Sequence, residues 1–361
     1  MRTVGTRPGR ARGSTALKVL LAVVGVVLSV GLVGSTFFRV GREDGRLTLT
    51  PRFDLSTFLA DLPGQVVWLV PFILLSAAII PLRALQWQAT LPRPVPFRER
   101  YHLVGIGAFT HNVVPGKLGD LFRSFLMART QQLPFMQALG SVLVCKLFEF
   151  AALMLLVAVG FLSPFRHVLG RFSAGLWIAV PACMGLVILV VVLAHRAGTL
   201  ADWLERRERL PGVRGFLRNL GEGLGSARSL PGMGRVLLLS LGPVLASSLA
   251  YGVALTGLGV EGGIFAGPVV LGAIALGQLI PGLPVGTGVY YFVTSWTARE
   301  LGVPAADAAA FSILTHLATV LTMTAVGAIS VWRRKLSWKE LRQRASEAAR
   351  TVRFEQQVRQ S

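Results

Sequence analysis

The residues best suited to chemistry lie between Thr110 and Arg129, in the segment THNVVPGKLGDLFRSFLMAR. The first fourteen residues of this segment hold an amide (Asn112), two cations (Lys117, Arg123) and a carboxylate (Asp120) within a mostly apolar chain. A helix that begins near Asp120 would point its free N-terminal amides at the preceding loop and favour an anion there. The segment therefore predicts an anion site, with Lys117 and Arg123 adding positive charge.

Two interpretations of the same segment remain open. Asp120 and Arg123 are three residues apart, so they share a helix face and can pair beside a lipid headgroup. Alternatively, Asp120 caps the helix and Arg123 extends to the inner membrane interface. The backbone is broken by Pro115, Gly116 and Gly119. Irregular backbone at membrane depth is tolerated where it lines a wet cavity or is buried in protein.

A second charged pair, Lys146 and Glu149, lies near the middle of an apolar run from 134 to 162. Placing each such charge at the centre of a membrane helix costs about 2.5 to 3.5 kcal/mol of insertion free energy. The pair must therefore have a structural or functional role. One role is that of a structural ion pair between neighbours on one helix face. The other is that Lys146 binds a lipid phosphate while Glu149 holds the lysine in place or exchanges protons.

The segment GQLIPGLPVGTGVYYFVTSWTARE contains a second break and a set of neutral polar groups. Its glycines permit close backbone approach, and its amide and hydroxyls offer uncharged hydrogen-bonding groups. His316, in the last apolar run, is either a cavity-lining group or a packing histidine. The candidate residues from this half of the chain are Gln278, Thr287, Tyr290, Tyr291 and His316, and the backbone breaks are Pro284, Gly286 and Gly288.

The elements that must position these groups are membrane helices. The chain has 361 residues, of which 53% are hydrophobic and 15% charged, and its mean hydropathy is +0.60. These values are typical of a polytopic membrane protein. Apolar runs of spanning length are predicted at 19–38, 65–82, 134–162, 174–194, 236–258 and 308–331.

The fold class predicted is therefore an all-α polytopic membrane protein with about six full transmembrane helices. Two shorter apolar stretches, 102–114 and 264–283, run into the polar motifs and are predicted to be re-entrant or broken helices. We expect a membrane domain at 19–332, between a basic tail at 1–18 and a second basic tail at 333–361. The first span is interpreted as retained rather than as a signal peptide, because no small-residue cleavage site follows it.

Lysine and arginine residues indicate the orientation. The first tail carries five and the last tail nine, whereas the loop from 39 to 63 balances four arginines with four acids. The positive-inside rule then places both termini in the cytoplasm. The two broken stretches would enter from opposite faces, as in many transporters built from inverted repeats. Two unrelated hairpins would give the same pattern.

The net charge of +20 sits in tails and loops between apolar runs, which favours anionic lipid headgroups over nucleic acid as the partner. Neither cysteine has a partner at disulfide or metal-site spacing. No nucleotide-binding, hydrolase or metalloprotease motif is present, so we expect no cofactor, no metal and no enzymatic activity.

The motifs resemble the flippase-like family named after the transmembrane region of lysylphosphatidylglycerol synthases. The family pattern N-x-x-x-P-G/A-x-x-G-D/E-x-x-R is matched, with one residue fewer before the proline, by Asn112, Pro115, Gly116, Gly119, Asp120 and Arg123. Its E-R-x-x-D pattern corresponds to Cys145 to Glu149, where the basic and second acidic positions are kept. Its P-x-G-x-G-x-x-E pattern corresponds to Pro284, Gly286, Gly288 and Tyr291.

This resemblance, over about residues 15 to 332, implies a protein of the cell membrane that moves lipids or lipid-linked groups between leaflets. The acids that the family carries at the positions of Cys145 and Tyr291 are missing, which favours an anionic cargo. Only about thirty residues follow the membrane region, so a synthase domain is not expected. The alternatives are a transferase that acts on a lipid phosphate, with Asp120 or Glu149 as base, and a scaffold for a lipid-modifying enzyme.

Overall fold

The structure is a computed structural model that describes residues 27, 30–43, 46–51, 55–113, 118–160, 162, 164–171, 173–206, 211–277 and 287–336. Residues 30–37 are helical, and a hairpin of β1 (Phe38–Glu43) and β2 (Arg46–Pro51) follows. The α-helices that follow are α1 (Leu55–Gln88), α2 (Phe97–Val113), α3 (Gly119–Gln131), α4 (Phe135–Gly160), α5 (Arg166–Arg171), α6 (Ser173–Arg206), α7 (Pro211–Gly223), α8 (Leu230–Gly257), α9 (Gly267–Gly277), α10 (Thr287–Glu300) and α11 (Ala305–Arg333). Two 3₁₀ helices span Gly225–Arg228 and Gly263–Ala266.

Within these residues, five helices are long and apolar enough to cross a bilayer: Pro63–Gln88, Phe135–Gly160, Trp177–Ala197, Leu230–Gly257 and Ala305–Arg333. Each coincides with a predicted span, so the prediction of an all-α polytopic membrane protein is confirmed. The remaining predicted span, 19–38, lies largely outside the described residues, although 30–37 is helical. The total of six spans therefore stays a prediction.

Helix α1 extends beyond the predicted span at both ends. The apolar run stops before Arg83, and the sequence therefore placed this arginine in a connecting segment, but α1 continues to Gln88. Arg83 can remain inside the helix because Glu149 of α4 neutralises it. Arg83 thus lies within α1, beyond the predicted end of the span at 82, and joins Arg123 and Lys146 as a third cation in the helical region.

The loop predicted at 39–63 contains regular structure that the sequence analysis did not anticipate. Strands β1 and β2 pair antiparallel, with Phe38 opposite Pro51 and Glu43 opposite Arg46. The alternation of arginine, leucine and threonine in β2 has the two-residue period of a strand. The hairpin joins the first helical segment to α1.

The two interrupted stretches are helical up to their breaks. Residues 102–113 belong to α2, and α3 starts at Gly119, one residue before the predicted start. The second stretch forms a 3₁₀ turn and then α9, which ends at Gly277. The breaks at 114–117 and 278–286 lie outside the described residues. Re-entrance and an inverted repeat remain predictions.

The described part of the segment from 195 to 235 is mostly helical. Helix α6 continues to Arg206, and Pro211 begins α7 at a position where its missing N–H costs nothing. Helix α7 packs closely on the start of α4, because a Cβ at Gly223 would lie 2.4 Å from the Gln137 carbonyl oxygen. The C-terminal tail beyond 336 lies outside the described residues.

The core draws its buried side chains mainly from α1, α2, α4, α8 and α11. Aromatic rings join α1, α8 and α11: the Phe72 ring lies 5.5 Å from Tyr251, and Tyr251 lies 6.4 Å from Phe311. Helices α2 and α11 approach at small residues, since a Cβ at Gly327 would lie 2.5 Å from the Gly105 carbonyl oxygen. This packing leaves a cavity between the helices.

Candidate functional site: a polar cavity between the membrane helices

A cavity of about 380 Å³ lies among the helices and is within the size range of small-molecule sites. Both polar stretches contribute to it, through Asn112, Asp120 and Arg123 on one side and Tyr290 on the other. The lining also includes Phe72, Ser76, Ile79, Ile80, Arg83, Val104, Gly107, Ala108, His111, Lys146, Ser247, Ala250, Tyr251, Leu271, Ile274, His316, Thr319, Val320 and Met323. Groups from α1, α2, α3, α4, α8, α9, α10 and α11 thus face one space.

Asp120 and Arg123 form the predicted pair on α3. Arg123 Nη2 lies 2.9 Å from Asp120 Oδ1, and the arginine side chain is only 5% exposed. Its guanidinium also lies over the Trp87 ring, 5.0 Å from the centroid. The N-cap position is Leu118, and no side chain caps the helix. The alternative of a capping Asp120 and an outward-extending Arg123 is therefore wrong, because burial and pairing hold Arg123 inside.

Glu149 has a different principal partner from the one the sequence suggested. Arg83 Nε and Nη2 donate to its two carboxylate oxygens at 3.1 and 3.0 Å. Such a two-point pair fixes the orientation of both groups. Sequence reasoning missed Arg83 because the pair joins residues 66 positions apart. The only available signal was a basic residue directly after an apolar run.

Lys146 lies between the two carboxylates. Its Nζ is 3.7 Å from Asp120 Oδ2 and 3.7 Å from Glu149 Oε2, and its side chain is 38% exposed. The predicted proximity of Lys146 and Glu149 is confirmed. Both contacts are too long for strong hydrogen bonds, so the lysine is held by charge rather than by fixed geometry.

The charges in this cluster do not balance. Arg83, Arg123 and Lys146 supply three positive charges, whereas Asp120 and Glu149 supply two negative charges. Attraction between charges is stronger in this environment than in water. The cluster therefore carries an excess of one positive charge beside the cavity, which suits an anion.

Asn112 connects the first polar stretch to the last helix. Its Nδ2 donates to Thr324 Oγ1 at 3.2 Å and to the Val320 carbonyl oxygen at 3.4 Å. Gly119 allows the start of α3 to pack closely against α2. A Cβ at this position would lie 2.2 Å from the Gly107 carbonyl oxygen. Of the predicted residues in this stretch, Asn112, Asp120 and Arg123 line the cavity.

The second polar stretch supplies aromatic and hydroxyl groups. The Tyr290 hydroxyl lies 3.0 Å from the Tyr251 hydroxyl and donates to Thr315 Oγ1 at 3.0 Å. The His316 ring lies 4.6 Å from the Tyr290 ring and 5.1 Å from the Tyr291 ring. His316 lines the cavity, whereas Tyr291, also predicted as a site residue, contacts the His316 ring and is not among the lining residues.

Several predicted residues lie outside the described part of the chain: Lys117, Gln278, Pro115, Gly116, Pro284 and Gly286. Thr287 begins α10, and its side chain is also outside that part. Gly288 is buried near the start of the same helix. The loop contributions to the cavity therefore remain predictions.

The structure adds cavity residues that the sequence analysis did not select. Besides Arg83, these are neutral or weakly basic groups on α1, α2, α8 and α11. The apolar periodicity of the sequence does not distinguish these residues from packing residues. They are recognised only because their side chains line the same cavity. They are Ser76, His111, Ser247, Tyr251 and Thr319.

Among the described residues, no group of three or more histidine, cysteine, aspartate or glutamate side chains is placed to hold a metal ion. Both cysteines are buried thiols. The described residues that line the cavity supply cations, a carboxylate and hydroxyls.

Comparison with known proteins identifies the family. Residues 22–327 match the family model described as the lysylphosphatidylglycerol synthase TM region. No curated protein and no solved structure matches the chain significantly. The match covers most of the chain and includes every described residue that lines the cavity. The protein is thus a multi-pass membrane protein that belongs to the family of lysylphosphatidylglycerol synthase transmembrane regions.

Proposed function

We propose that this protein is a lipid transporter that moves an anionic phospholipid or a polyprenyl-phosphate-linked lipid between membrane leaflets. The observation that carries the proposal is the cluster of three cations and two carboxylates around a cavity between membrane helices. Charged groups at this depth are costly and usually mark a substrate pathway. A lipid phosphate would neutralise the remaining positive charge.

Lys146 is the cation best placed to receive that phosphate. Arg83 and Arg123 each have a carboxylate oxygen within 3.0 Å, whereas the lysine contacts are both 3.7 Å. A phosphate oxygen could approach the ammonium without first breaking a two-point arginine pair. Arg83 and Arg123 would then orient the carboxylates and keep the local potential positive.

The same proposal places the protein in the cell membrane with both termini in the cytoplasm. The supporting observation is the excess of lysine and arginine in both tails and in the segments 89–101 and 195–235. The cavity would open alternately to the two leaflets. Lysine and arginine in the tails would also attract anionic headgroups to the cytoplasmic surface.

The direct test is a liposome assay with a fluorescent anionic phospholipid in protein reconstituted from detergent. We expect the wild type to accelerate exchange between leaflets, and Lys146→Ala and Arg123→Ala each to lower the rate by about tenfold or more, since each removes a charged contact. Arg129→Ala is the matched control, because Arg129 lies on α3 but does not line the cavity.

Equal exchange by the wild type, Lys146→Ala and Arg123→Ala would contradict the roles proposed for these residues. Absence of exchange with every lipid tested would contradict transport itself. The amount and monodispersity of each purified variant should be measured first, so that a loss of rate is not a loss of folded protein.

A transferase acting on a lipid phosphate is the second candidate. Its support is that Asp120 lines the cavity and is 43% exposed, so a substrate could reach it. Both carboxylates are ion-paired, however, and a general base must be free to accept a proton. Product formed by the purified protein with a candidate donor would support the transferase. A scaffold would instead copurify with a lipid-modifying enzyme and tolerate cavity substitutions.

A further inference from the structure

The cavity has two chemically different ends. Phe72 and Arg83 both line it from α1, eleven residues apart, which is about 16 Å along a helix. Arg83 belongs to the charge cluster through Glu149, whereas the Phe72 ring lies 5.5 Å from Tyr251. One end therefore presents charges, and the other presents tyrosine hydroxyls and aromatic rings.

The hydroxyl end is a hydrogen-bond chain with a defined direction. Thr315 Oγ1 donates to the Phe311 carbonyl oxygen at 2.7 Å, and a carbonyl oxygen can only accept. Tyr290 donates to Thr315, so its own oxygen is left to accept from the Tyr251 hydroxyl at 3.0 Å. In this series of hydrogen bonds, each hydroxyl therefore donates its proton in the direction that leads from Tyr251 to the backbone of α11.

This direction determines what Tyr251 offers to the cavity. Its proton is used by Tyr290, so the remaining capacity of its oxygen is that of an acceptor. Tyr251 is one of the residues that line the cavity. A ligand group at this end must therefore donate a hydrogen bond, as a hydroxyl or an N–H group does.

Charge distinguishes these two donors. Of the described residues that line the cavity, Asp120 is the only carboxylate, and it belongs to the charged end. Tyr251, Tyr290, His316 and Thr319 supply no negative charge to the hydroxyl end. Once the lipid phosphate has neutralised the excess charge of the cluster, an ammonium group at the hydroxyl end would leave a positive charge with no anion beside it among the described lining residues. A neutral hydroxyl adds none.

We propose, on the basis of the function proposed above, that the cargo is a lipid phosphate with a neutral, hydroxyl-bearing headgroup such as a polyol or a sugar. The phosphate binds beside Lys146 at the charged end. A headgroup hydroxyl donates to Tyr251 Oη, and the Tyr290 and His316 rings, 4.6 Å apart, form the adjoining wall. Lipids whose headgroup carries an amine are disfavoured.

The test compares lipids that differ only in the headgroup, in liposomes containing the full-length protein. The probes are phosphatidylinositol, whose headgroup carries hydroxyls, phosphatidylethanolamine, whose headgroup carries an amine and no carboxylate, and phosphatidic acid, whose headgroup is the phosphate alone. We expect the wild type to move phosphatidylinositol fastest. Tyr251→Phe removes one oxygen and keeps the ring, and it should lower the ratio of the phosphatidylinositol rate to the phosphatidic acid rate by about fivefold.

Tyr101→Phe is the matched control, because Tyr101 loses a hydroxyl that does not line the cavity, and its ratio should equal that of the wild type. Equal wild-type rates for the three lipids, or an unchanged ratio in Tyr251→Phe, would overturn the headgroup assignment and leave lipid transport standing. If the wild type moves none of the lipids, the proposed function itself fails. The wild-type comparison decides the question even if Tyr251→Phe does not fold.

Discussion

Arginine and lysine have separate tasks in the charge cluster. The guanidinium of Arg83 meets Glu149 with two nitrogens, and that of Arg123 is buried over Trp87. A planar guanidinium is suited to such fixed arrangements, whereas an ammonium on a flexible stem is not. Lys146, at 3.7 Å from each carboxylate, keeps its charge available. The arginines therefore maintain the site, and the lysine is the group proposed to bind cargo.

A first prediction concerns the Arg83 and Glu149 pair. Arg83→Met leaves Glu149, whose side chain is only 12% exposed, without its two-point partner. Loss of one partner of a buried pair is destabilising, although the partial exposure of Arg83 and the nearby Lys146 reduce the cost to about 2 kcal/mol. Thermal unfolding of the purified protein in detergent should show a lower midpoint.

The double variant Arg83→Met with Glu149→Leu is the control for this prediction. Replacement of both charges by apolar groups of similar size removes the uncompensated carboxylate and should recover most of the lost stability. A double variant that is less stable than Arg83→Met alone would show that the two residues do not act as a pair.

At the scale of elements, glycines decide how closely α3 approaches α2. A Cβ at Gly119 would lie 2.2 Å from the Gly107 carbonyl oxygen and 2.8 Å from the His111 Cβ. Both helices carry cavity residues, among them Asn112 and Arg123. The glycine at the start of α3 therefore determines where the Asp120 and Arg123 pair lies relative to Lys146.

The prediction at this scale is that Gly119→Ala forces α3 away from α2. Backbone cannot move aside as a flexible side chain does, so we expect a loss of about 2 kcal/mol in stability and a loss of lipid exchange. The unfolding midpoint in detergent and the liposome assay measure these two effects.

Gly185→Ala in α6 is the matched control, because a Cβ there meets nothing within 4 Å. An alanine in an exposed helix interior is neutral or stabilising. If Gly119→Ala and Gly185→Ala behave alike, the close approach of α3 to α2 is not needed for the site.

At the scale of the whole molecule, the helices enclose a cavity with an uneven distribution of charge. Helix α1 passes along its length and α11 borders it from His316 to Met323. The small-residue contact of α2 with α11 at Gly105 and Gly327 holds these helices together. Transport would require this packing to change, so that the cavity opens to each leaflet in turn.

The orientation of the molecule gives a further prediction. Arg98 and Glu261 are both exposed, and the distribution of lysine and arginine places them on opposite sides of the membrane. In a background with Cys145→Ala and Cys183→Ala, cysteine at position 261 should react with an impermeant maleimide in intact cells. Cysteine at position 98 should react only after permeabilisation. The reverse pattern would place the termini outside the cytoplasm.

The sequence by itself determined the helices and the pairs within them. An apolar run predicts a membrane-spanning helix, because in lipid each segment must satisfy its own backbone hydrogen bonds. Five predicted spans coincide with helices of spanning length. The three-residue spacing of Asp120 and Arg123 and of Lys146 and Glu149 fixed their proximity, since neighbours on one helix face are set by helix geometry alone.

Only the tertiary structure decided which groups from different helices meet. The Arg83 and Glu149 pair and the chain from Tyr251 through Tyr290 to Thr315 join distant parts of the sequence. The periodicity of a sequence predicts which face of a helix is apolar. It does not predict which helix packs against that face, or how the two helices are aligned along their axes. Packing at close contacts such as Gly119 with Gly107 sets those relations, and it thereby gives the cavity its charged end and its hydroxyl end.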